Sequence, residues 1–197
     1  RELAQDADVF VENFRVGTTD EWEISYQMLA SENSDLVYCS LSGYGEWGPY
    51  AKRPAYDLIM QAESGLMSIT GPADGDPVRV GVAIADIGAG MYATQAILAA
   101  LFRREFGDAG GQKIDVSLFD GQLAWLSYMA SYYFATGNPP GKMGSRHPTI
   151  VPYQAFPTQD GNVVVAAASE KIWRKLCHAL ERSDLLEDDR FGCNADR

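Results

Sequence analysis

The sequence predicts an α/β protein, with a parallel sheet in a large first domain and the start of a smaller α+β domain after it. Strand-like and helix-like segments alternate through the first part of the chain, which is the pattern of parallel α/β folds. The run at 35–41 (DLVYCSL) is apolar almost throughout, which is typical of a strand buried on both faces. From about residue 145 a hairpin and then a helix follow, so we expect one domain at 1–144 and another at 145–197.

Strands are predicted where β-branched and aromatic residues cluster, and helices where apolar residues recur every three or four positions. Gly65 ends one helical pattern, and Gly110 and Gly111 separate a long helix from the next strand. In chain order the predicted elements are a strand at 8–12, a helix at 18–31, a strand at 35–41, a helix at 56–66, an extended run at 78–85, a helix from Asp86 to about Glu105, a strand at 113–118, a helix at 122–135, a hairpin of 151–156 and 162–167, and a helix at 171–180.

Composition restricts the classes of partner. The 197 residues carry a formal net charge of −11, which disfavours nucleic acid, because affinity for a phosphate backbone comes from clustered Lys and Arg. Any other polyanionic ligand needs a local basic or amide-rich pocket. Two histidines and three cysteines without a CxxC pair predict no metal site and no disulfide framework.

The expected location is a reducing compartment, either the cytoplasm or an organelle if the source is eukaryotic. We find no signal peptide and no run of about 20 apolar residues, so no membrane partner is predicted. Arg1 lies in what reads as a helix already under way, and the residues around 190–197 form no completed element. The chain is therefore expected to be a segment of a longer protein.

A glycine motif, Gly43-Tyr-Gly45-Glu-Trp-Gly48, fits the G-x-G-x-x-G pattern of dinucleotide-binding folds. That pattern requires a helix to begin at once, so that backbone amides meet the pyrophosphate. Pro49 and Pro54 prevent a helix there. A nicotinamide-dependent oxidoreductase is therefore the least favoured alternative.

Asp86 stands between an apolar extended run and a helix rich in small residues. One reading is a helix N-cap, for which Asp is among the best residues. The other is a nucleophilic carboxylate, held at a helix N-terminus and given room by Gly88 and Gly90. The residues alone leave both readings open.

Three weaker signals have simple structural alternatives. Asn13 and Phe14 end a strand, where open α/β sheets bind ligands, but a plain turn fits equally well. Tyr56 at a helix start is more often a packing residue. His147, in the loop from Gly137 to Pro148, is a lone histidine of the kind that is usually structural.

Five segments together resemble the class III CoA-transferases, a family related to the α-methylacyl-CoA racemases. The resemblance covers nearly the whole chain in order, which is more specific than any one motif. The segments are VENFRVG (Val11 to Gly17), SLSGYGEWGPY (Ser40 to Tyr50), PAYDLIMQAESGLMSITG (Pro54 to Gly71), ADIGAGMYATQAILAALFRRE (Ala85 to Glu105) and RHPTIVPYQAFPTQDG (Arg146 to Gly161).

The resemblance implies a Rossmann-like large domain, a smaller second domain and an interlocked homodimer, in a protein about twice this length. It also implies coenzyme A thioesters and carboxylic acids as substrates, with no permanently bound cofactor. Asp86 matches the family's nucleophile, which forms an aspartyl mixed anhydride and then an aspartyl-CoA thioester. Amides near the helix start are expected to stabilise the oxyanions.

Other positions carry over less closely. By resemblance, Asn13, Phe14 and Tyr56 contact CoA or substrate, and the residues from Gly144 to His147 match a mobile loop over the active site. Glu21 replaces an arginine that often binds CoA phosphates in the family, so Arg15 is a candidate to compensate. The racemases have a histidine base where this chain has Tyr56, and a tyrosine with its ordinary pKa near 10 is a poor base. CoA transfer is therefore favoured over racemisation, which stays the alternative.

Overall fold

The computed structural model describes residues 1–107 and 109–197. The chain forms two compact units. Unit 1 comprises Arg1–Ser68 and Val78–Pro140, and unit 2 comprises Ile69–Pro77 and Gly141–Arg197. The division after Pro140 lies shortly before the boundary predicted from the sequence. The segment Ile69–Pro77, which the sequence analysis placed in the first domain, belongs to unit 2.

Unit 1 contains a three-stranded parallel sheet in the order β1-β2-β3, with helices around it. The register aligns Val11 with Cys39 and Cys39 with Ile114. The strands are β1 Val9–Glu12, β2 Val37–Ser42 and β3 Lys113–Ser117, and the helices are α1 Glu2–Gln5, α2 Thr18–Glu21, α3 Tyr26–Glu32, α4 Asp57–Glu63, α5 Leu66–Ile69, α6 Ile84–Phe106, α7 Leu118–Trp125 and α8 Ser127–Thr136. The last residue of α5, Ile69, is assigned to unit 2.

The central strand β2 is buried on both faces, as its apolar sequence predicts. Alternate side chains of a strand point to opposite faces. Cys39 therefore packs with Met60 of α4 and Ala89 of α6 in one core cluster. Tyr38 packs with Leu29 and Leu36 in another. The small-residue face of α6 explains how this long helix approaches the sheet so closely.

Two helices predicted as continuous are each divided. The predicted helix at 18–31 is α2 and α3, and Glu23 between them has φ 56°. The predicted helix at 122–135 is α7 and α8, and Ser127 has φ 46°. Apolar spacing continues across both breaks, so periodicity alone misses them, whereas a residue in the left-handed region turns the chain.

Helix α6 is long and apolar enough to span a membrane by length and composition, contrary to the sequence expectation that no segment of this kind exists. Its residues Ala85, Gly88, Ala89, Ala93 and Ala100 are buried against the rest of unit 1. Core helices meet the same criterion of length and composition. This packing covers only one face of the helix, because the large apolar side chains of α6 are exposed at Ile87, Met91, Leu98, Phe102 and Phe106.

Unit 2 contains an antiparallel hairpin followed by a helix, in the order predicted. The apolar face of the helix buries Trp173 and Cys177. The elements are β4 Tyr153–Pro157, β5 Asn162–Ala166 and α9 Glu170–Ala179, followed by two single 3₁₀ turns, Ser183–Leu186 and Asp189–Phe191.

Gly111 allows the chain before β3 to pass directly over the residues that lead into β2. A Cβ atom at this position would collide with the backbone of Leu36, and the Gly111 amide donates to the Ser34 carbonyl at 2.8 Å. We expect Gly111→Ala to lower the free energy of unfolding by about 1–3 kcal/mol, as overpacking does. Denaturant unfolding of the full-length protein measures this loss in the free energy of unfolding. Gly81→Ala is the control, since nothing lies within 4 Å of its Cβ position, and equal losses in both variants would contradict the explanation.

Candidate active site

A cavity of about 320 Å³ lies where β1 and β2 end, within the range of small-molecule sites. Parallel strands present their carboxyl ends, and the loops that follow them, at one edge of a sheet. Asp86, Asn13, Phe14, Arg15 and Tyr56, predicted from the sequence, all line this cavity. It is completed by Val16, Leu41, Ser42, Gly43, Ala51, Lys52, Arg53, Pro54, Ala55, Asp57 and Leu118.

Asp86 is not the N-cap of α6. The helix begins at Ile84, after Ala83, so Asp86 is in its first turn. In the described part of the chain, no group hydrogen-bonds to the Asp86 carboxylate. The cap is supplied by another element: Asp57 Oδ1 accepts the Ala85 amide at 2.7 Å. The carboxylate of Asp86 is therefore left available to the cavity.

The surroundings of Asp86 raise the pKa of its carboxyl group above the ordinary value. Partial desolvation by neighbouring atoms is the larger cause, and the negative charge of Asp57 is the second. A carboxylate with a raised pKa is a better nucleophile than one that accepts several hydrogen bonds, because its negative charge is less stabilised. The site combines an anion with few stabilising contacts and a cavity beside it.

The helix amides expected to stabilise an oxyanion are mostly occupied. Ile84 donates to the Val82 carbonyl at 2.8 Å, and Ile87 donates to the Ala83 carbonyl at 3.0 Å. Ala85 donates to Asp57. Within residues 1–107 and 109–197, the amide of Asp86 itself is the one in this turn without an acceptor. Most amides at the start of α6 therefore already have acceptors, because a side chain and a tight turn supply them.

The loop after β1 is held by a buried carboxylate. Glu12 Oε2 accepts the Phe14 amide at 2.8 Å, and Glu12 Oε1 accepts the hydroxyl of Ser40 on β2. Asn13 donates its side-chain amide to the Leu41 carbonyl at 2.9 Å. These bonds turn Phe14 and Arg15 toward the cavity. Asn13 thus has the structural role of a turn residue while also lining the cavity.

Three cations line the cavity and oppose the acidic total of the chain. Arg53 is restrained, since its guanidinium lies 4.4 Å from the centre of the Tyr50 ring and 3.9 Å from Glu63. Arg15 and Lys52 are exposed, and no acidic side chain pairs with either among the described residues. The cavity therefore presents two uncompensated positive charges on the same side of the sheet as Asp86.

The glycine motif packs the chain closely, and no helix follows it at once. A Cβ atom on Gly43 would collide with that of Ala55, so the glycine lets the loop fold back against the residues that precede Tyr56. Helix α4 begins only at Asp57. The dinucleotide reading thus lacks the helix that binds a pyrophosphate.

Gly144 and His147 belong to unit 2. Gly144 has φ 61° and donates its amide to the Gly71 carbonyl at 2.9 Å. His147 donates its amide to the Tyr153 carbonyl at 3.0 Å, and its ring lies 5.3 Å from the Tyr153 ring. These contacts attach the loop to β4 and to the segment Ile69–Pro77. That the loop covers the active site stays a prediction.

Sequence reasoning missed three groups that shape the site: Glu12, Lys52 and Asp57. Lys52 was detectable as one of two adjacent cations in an acidic chain. Asp57 was detectable because Gln61 follows it at the i, i+4 spacing that places two side chains on one helix face. Glu12 had no signal, because a strand-end glutamate is usually exposed.

Comparison with known proteins gives one consistent result. The sequence model of the family described as CoA-transferase family III matches residues 1–197 of this chain. The chain is 41% identical over 197 residues to a succinate–glutarate CoA-transferase of Agrobacterium fabrum, covering 100% of the chain and 49% of that protein. It is 41% identical to an acetyl-CoA:oxalate CoA-transferase of Acetobacter aceti, covering 100% and 50%.

A solved structure is similar over the same extent. The crystal structure of a CaiB/BaiF family protein from Brucella suis superposes with a TM-score of 0.84 at 40% identity. The match covers 99% of this chain and 51% of that one. The chain thus spans about half the length of the relatives it matches.

Glu12 should stabilise unit 1 through its two acceptor oxygens. We expect Glu12→Ala to lower the free energy of unfolding by about 1–3 kcal/mol, because the Phe14 amide and the Ser40 hydroxyl lose their acceptor. Glu12→Gln should cost less, because its oxygen still accepts from Phe14 and its amide donates to Ser40 after the hydroxyl rotates. Chemical denaturation compares the two. Equal losses would show that the charge of Glu12 matters, and not its hydrogen bonds.

Proposed function

The chain belongs to CoA-transferase family III, and we propose that the protein containing it moves CoA from an acyl-CoA donor to a carboxylic acid acceptor, with Asp86 as the nucleophile. The observation that carries the proposal is the Asp86 carboxylate, which lies at a cation-lined cavity without a hydrogen-bond partner in the described residues. A simple helix cap would instead have its oxygen atoms bonded to amides.

The proposed reaction is a series of acyl exchanges on one carboxylate. Asp86 attacks the thioester carbonyl, the carbon–sulfur bond breaks, and a mixed anhydride and CoA thiolate form. The thiolate attacks the Asp86 carbonyl of the anhydride, which releases the donor acid and leaves an aspartyl-CoA thioester. The acceptor carboxylate attacks this thioester and expels the thiolate again. The thiolate then attacks the acceptor carbonyl, which yields the new acyl-CoA and restores Asp86.

The residues of the cavity fit this sequence of steps. Each attack places negative charge on a carbonyl oxygen, and the amide of Asp86 and the hydroxyl of Tyr56 are two of the donors among the cavity residues that could meet it. Tyr56 is 78% exposed, so its hydroxyl can turn toward a bound substrate. Phe14, 44% exposed and in edge contact with Trp22, provides an apolar wall for an acyl or pantetheine chain.

CoA brings several phosphate charges to a protein whose net charge is −11. Arg15 and Lys52 are the cations available for them, because Arg53 is already paired with Glu63. Glu21, which replaces an arginine common in the family, is exposed on α2 and outside the lining of the cavity. We therefore assign phosphate binding to Arg15 and Lys52.

The same proposal includes an interlocked homodimer and a cytoplasmic or organellar location. Acyl-CoA thioesters and free carboxylic acids are its substrates, and no permanently bound cofactor enters the reaction. The relatives are named for succinate, glutarate, oxalate and acetyl-CoA, so small carboxylic acids are the acceptors to test first.

Replacement of Asp86 tests the proposal directly. With acyl-CoA and hydroxylamine, the full-length protein should give a hydroxamate on the Asp86 peptide, because hydroxylamine cleaves anhydrides and thioesters. Asp86→Asn should form no adduct and should lose activity by at least about 1,000-fold. Mass spectrometry and a transferase assay with a panel of small acids measure both. Full transferase activity in Asp86→Asn would falsify the proposal.

Exchange of the substrate α-proton distinguishes the racemase alternative in the same material. A transferase needs an acceptor acid for turnover, whereas a racemase incorporates deuterium from deuterated water without one. Without an acceptor acid, we expect the unaltered protein to exchange the substrate α-proton no faster than the Asp86→Asn variant does.

Loss of either free cation should weaken acyl-CoA binding without affecting the chemistry. We expect Arg15→Ala and Lys52→Ala each to raise KM for acyl-CoA by about tenfold at low salt, equal to ~1.4 kcal/mol, with kcat nearly unchanged. The difference should shrink as salt is added, because exposed charges are screened. Lys171→Ala, an exposed lysine on α9, is the control. An equal effect in that control would remove the assignment.

A further inference from the structure

Two partly buried hydrogen bonds connect α4 to the segment that precedes Asp86. Gln61, which is fully buried, accepts the Val80 amide on its side-chain oxygen at 2.8 Å. Its side-chain nitrogen donates to Asp57 Oδ2 at 2.6 Å. The other carboxylate oxygen of Asp57 accepts the Ala85 amide. One continuous chain of bonds therefore holds both ends of the run from Val80 to Ala85.

Among residues 1–107 and 109–197 no strand pairs with this run, so side chains fix its position. It was predicted as extended, and it forms bends before α6 begins. Asp57 and Gln61 hold its amides from the same face of α4, and Met60 of that helix packs in the core with Ala85. A helix start that is bonded to a neighbouring helix cannot shift along the sheet without breaking these bonds.

We propose that Asp57 is a positioning residue, which holds the first turn of α6 so that the Asp86 carboxylate stays at the cavity without accepting a hydrogen bond. The inference rests on the proposed function, because it concerns the nucleophile of that reaction. Asp57 also acts through charge. Its oxygens accept hydrogen bonds from Ala85 and Gln61, and its negative charge contributes to the raised pKa of Asp86.

The electrostatic part has a testable sign. Asp57 contributes to the raised pKa of Asp86, so removal of its charge should lower that pKa. The other charged or titratable groups at this cavity are Arg15, Lys52, Arg53 and Tyr56. The substitution at position 57 leaves all four unchanged. The acid limb of kcat/KM reports the ionisation of the free nucleophile, so it should move to lower pH in Asp57→Asn.

The substitution Asp57→Asn also breaks one hydrogen bond. The oxygen of the new side chain can still accept from Ala85, but its amide nitrogen then faces the amide nitrogen of Gln61, and two donors meet. A second change repairs the contact. In the double variant Asp57→Asn/Gln61→Glu, the new carboxylate accepts both from the new side-chain amide of α4 and from the Val80 amide. The double variant thus restores the chain of bonds and places the carboxylate at the buried position 61 instead of position 57.

The experiment compares these variants in the full-length enzyme. For Asp57→Asn we expect kcat to fall about 10- to 100-fold, since a small misplacement of a reacting group has an effect of that size. KM for acyl-CoA should stay within about threefold. The double variant should regain about tenfold of the lost kcat. Because its new carboxylate at position 61 restores a negative charge near position 57, only the single variant tests the shift of the acid limb. Asp120→Asn, an exposed aspartate in the first turn of α7, is the matched control.

The outcomes separate this inference from the proposed function. If Asp57→Asn behaves like Asp120→Asn while Asp86 still forms its adduct, Asp57 does not position the nucleophile, and the proposed function stands. If Asp86→Asn is active, the proposed function itself fails. A folded double variant that regains no rate would overturn the positioning role. Loss of folding in both variants, seen as a lost thermal transition, would assign Asp57 to stability and overturn it as well.

Discussion

The hydrogen bond from the Ala85 amide to the carboxylate of Asp57 is the interaction on which the arrangement of the cavity depends. The first turn of a helix has amides that need acceptors, and a carboxylate in that turn commonly supplies one. Here the acceptor comes from α4. Asp86 therefore keeps its carboxylate unbonded in the described structure, and its surroundings raise its pKa. The same aspartate that completes the helix start adds to this shift through its charge.

The parallel sheet determines which other residues lie at the cavity beside Asp86. Because β1 and β2 are parallel, the loops after them leave the sheet at the same edge, and the cavity forms between those loops and the start of α6. Glu12 holds the first loop, and the close packing of Gly43 on Ala55 brings the second loop back toward Tyr56. Backbone hydrogen bonds and close packing of this kind hold loop residues at a defined place, which a site on loops requires.

Charge at the cavity differs in sign from charge on the whole chain. The acidic total predicts weak attraction for polyanions, yet Arg15, Lys52 and Arg53 face the site. Arg53 is restrained by Tyr50 and Glu63, so it stiffens the loop, whereas the other two lack acidic partners in the described residues. Screening limits the reach of surface charges to about 10 Å, so these local cations outweigh distant carboxylates for a ligand in the cavity.

The sequence by itself determined the class of fold, the order of most strands and helices, the family and the candidate nucleophile. It could do so because apolar periodicity and motif order are local properties of the chain. Only the tertiary structure decided that Asp86 does not cap α6 and that Asp57 accepts an amide of its first turn instead. It also showed that most amides at the start of α6 already have acceptors. It also decided where two helices break, at Glu23 and Ser127. These facts depend on contacts between residues far apart in the chain or on single backbone angles, which leave no pattern in sequence spacing.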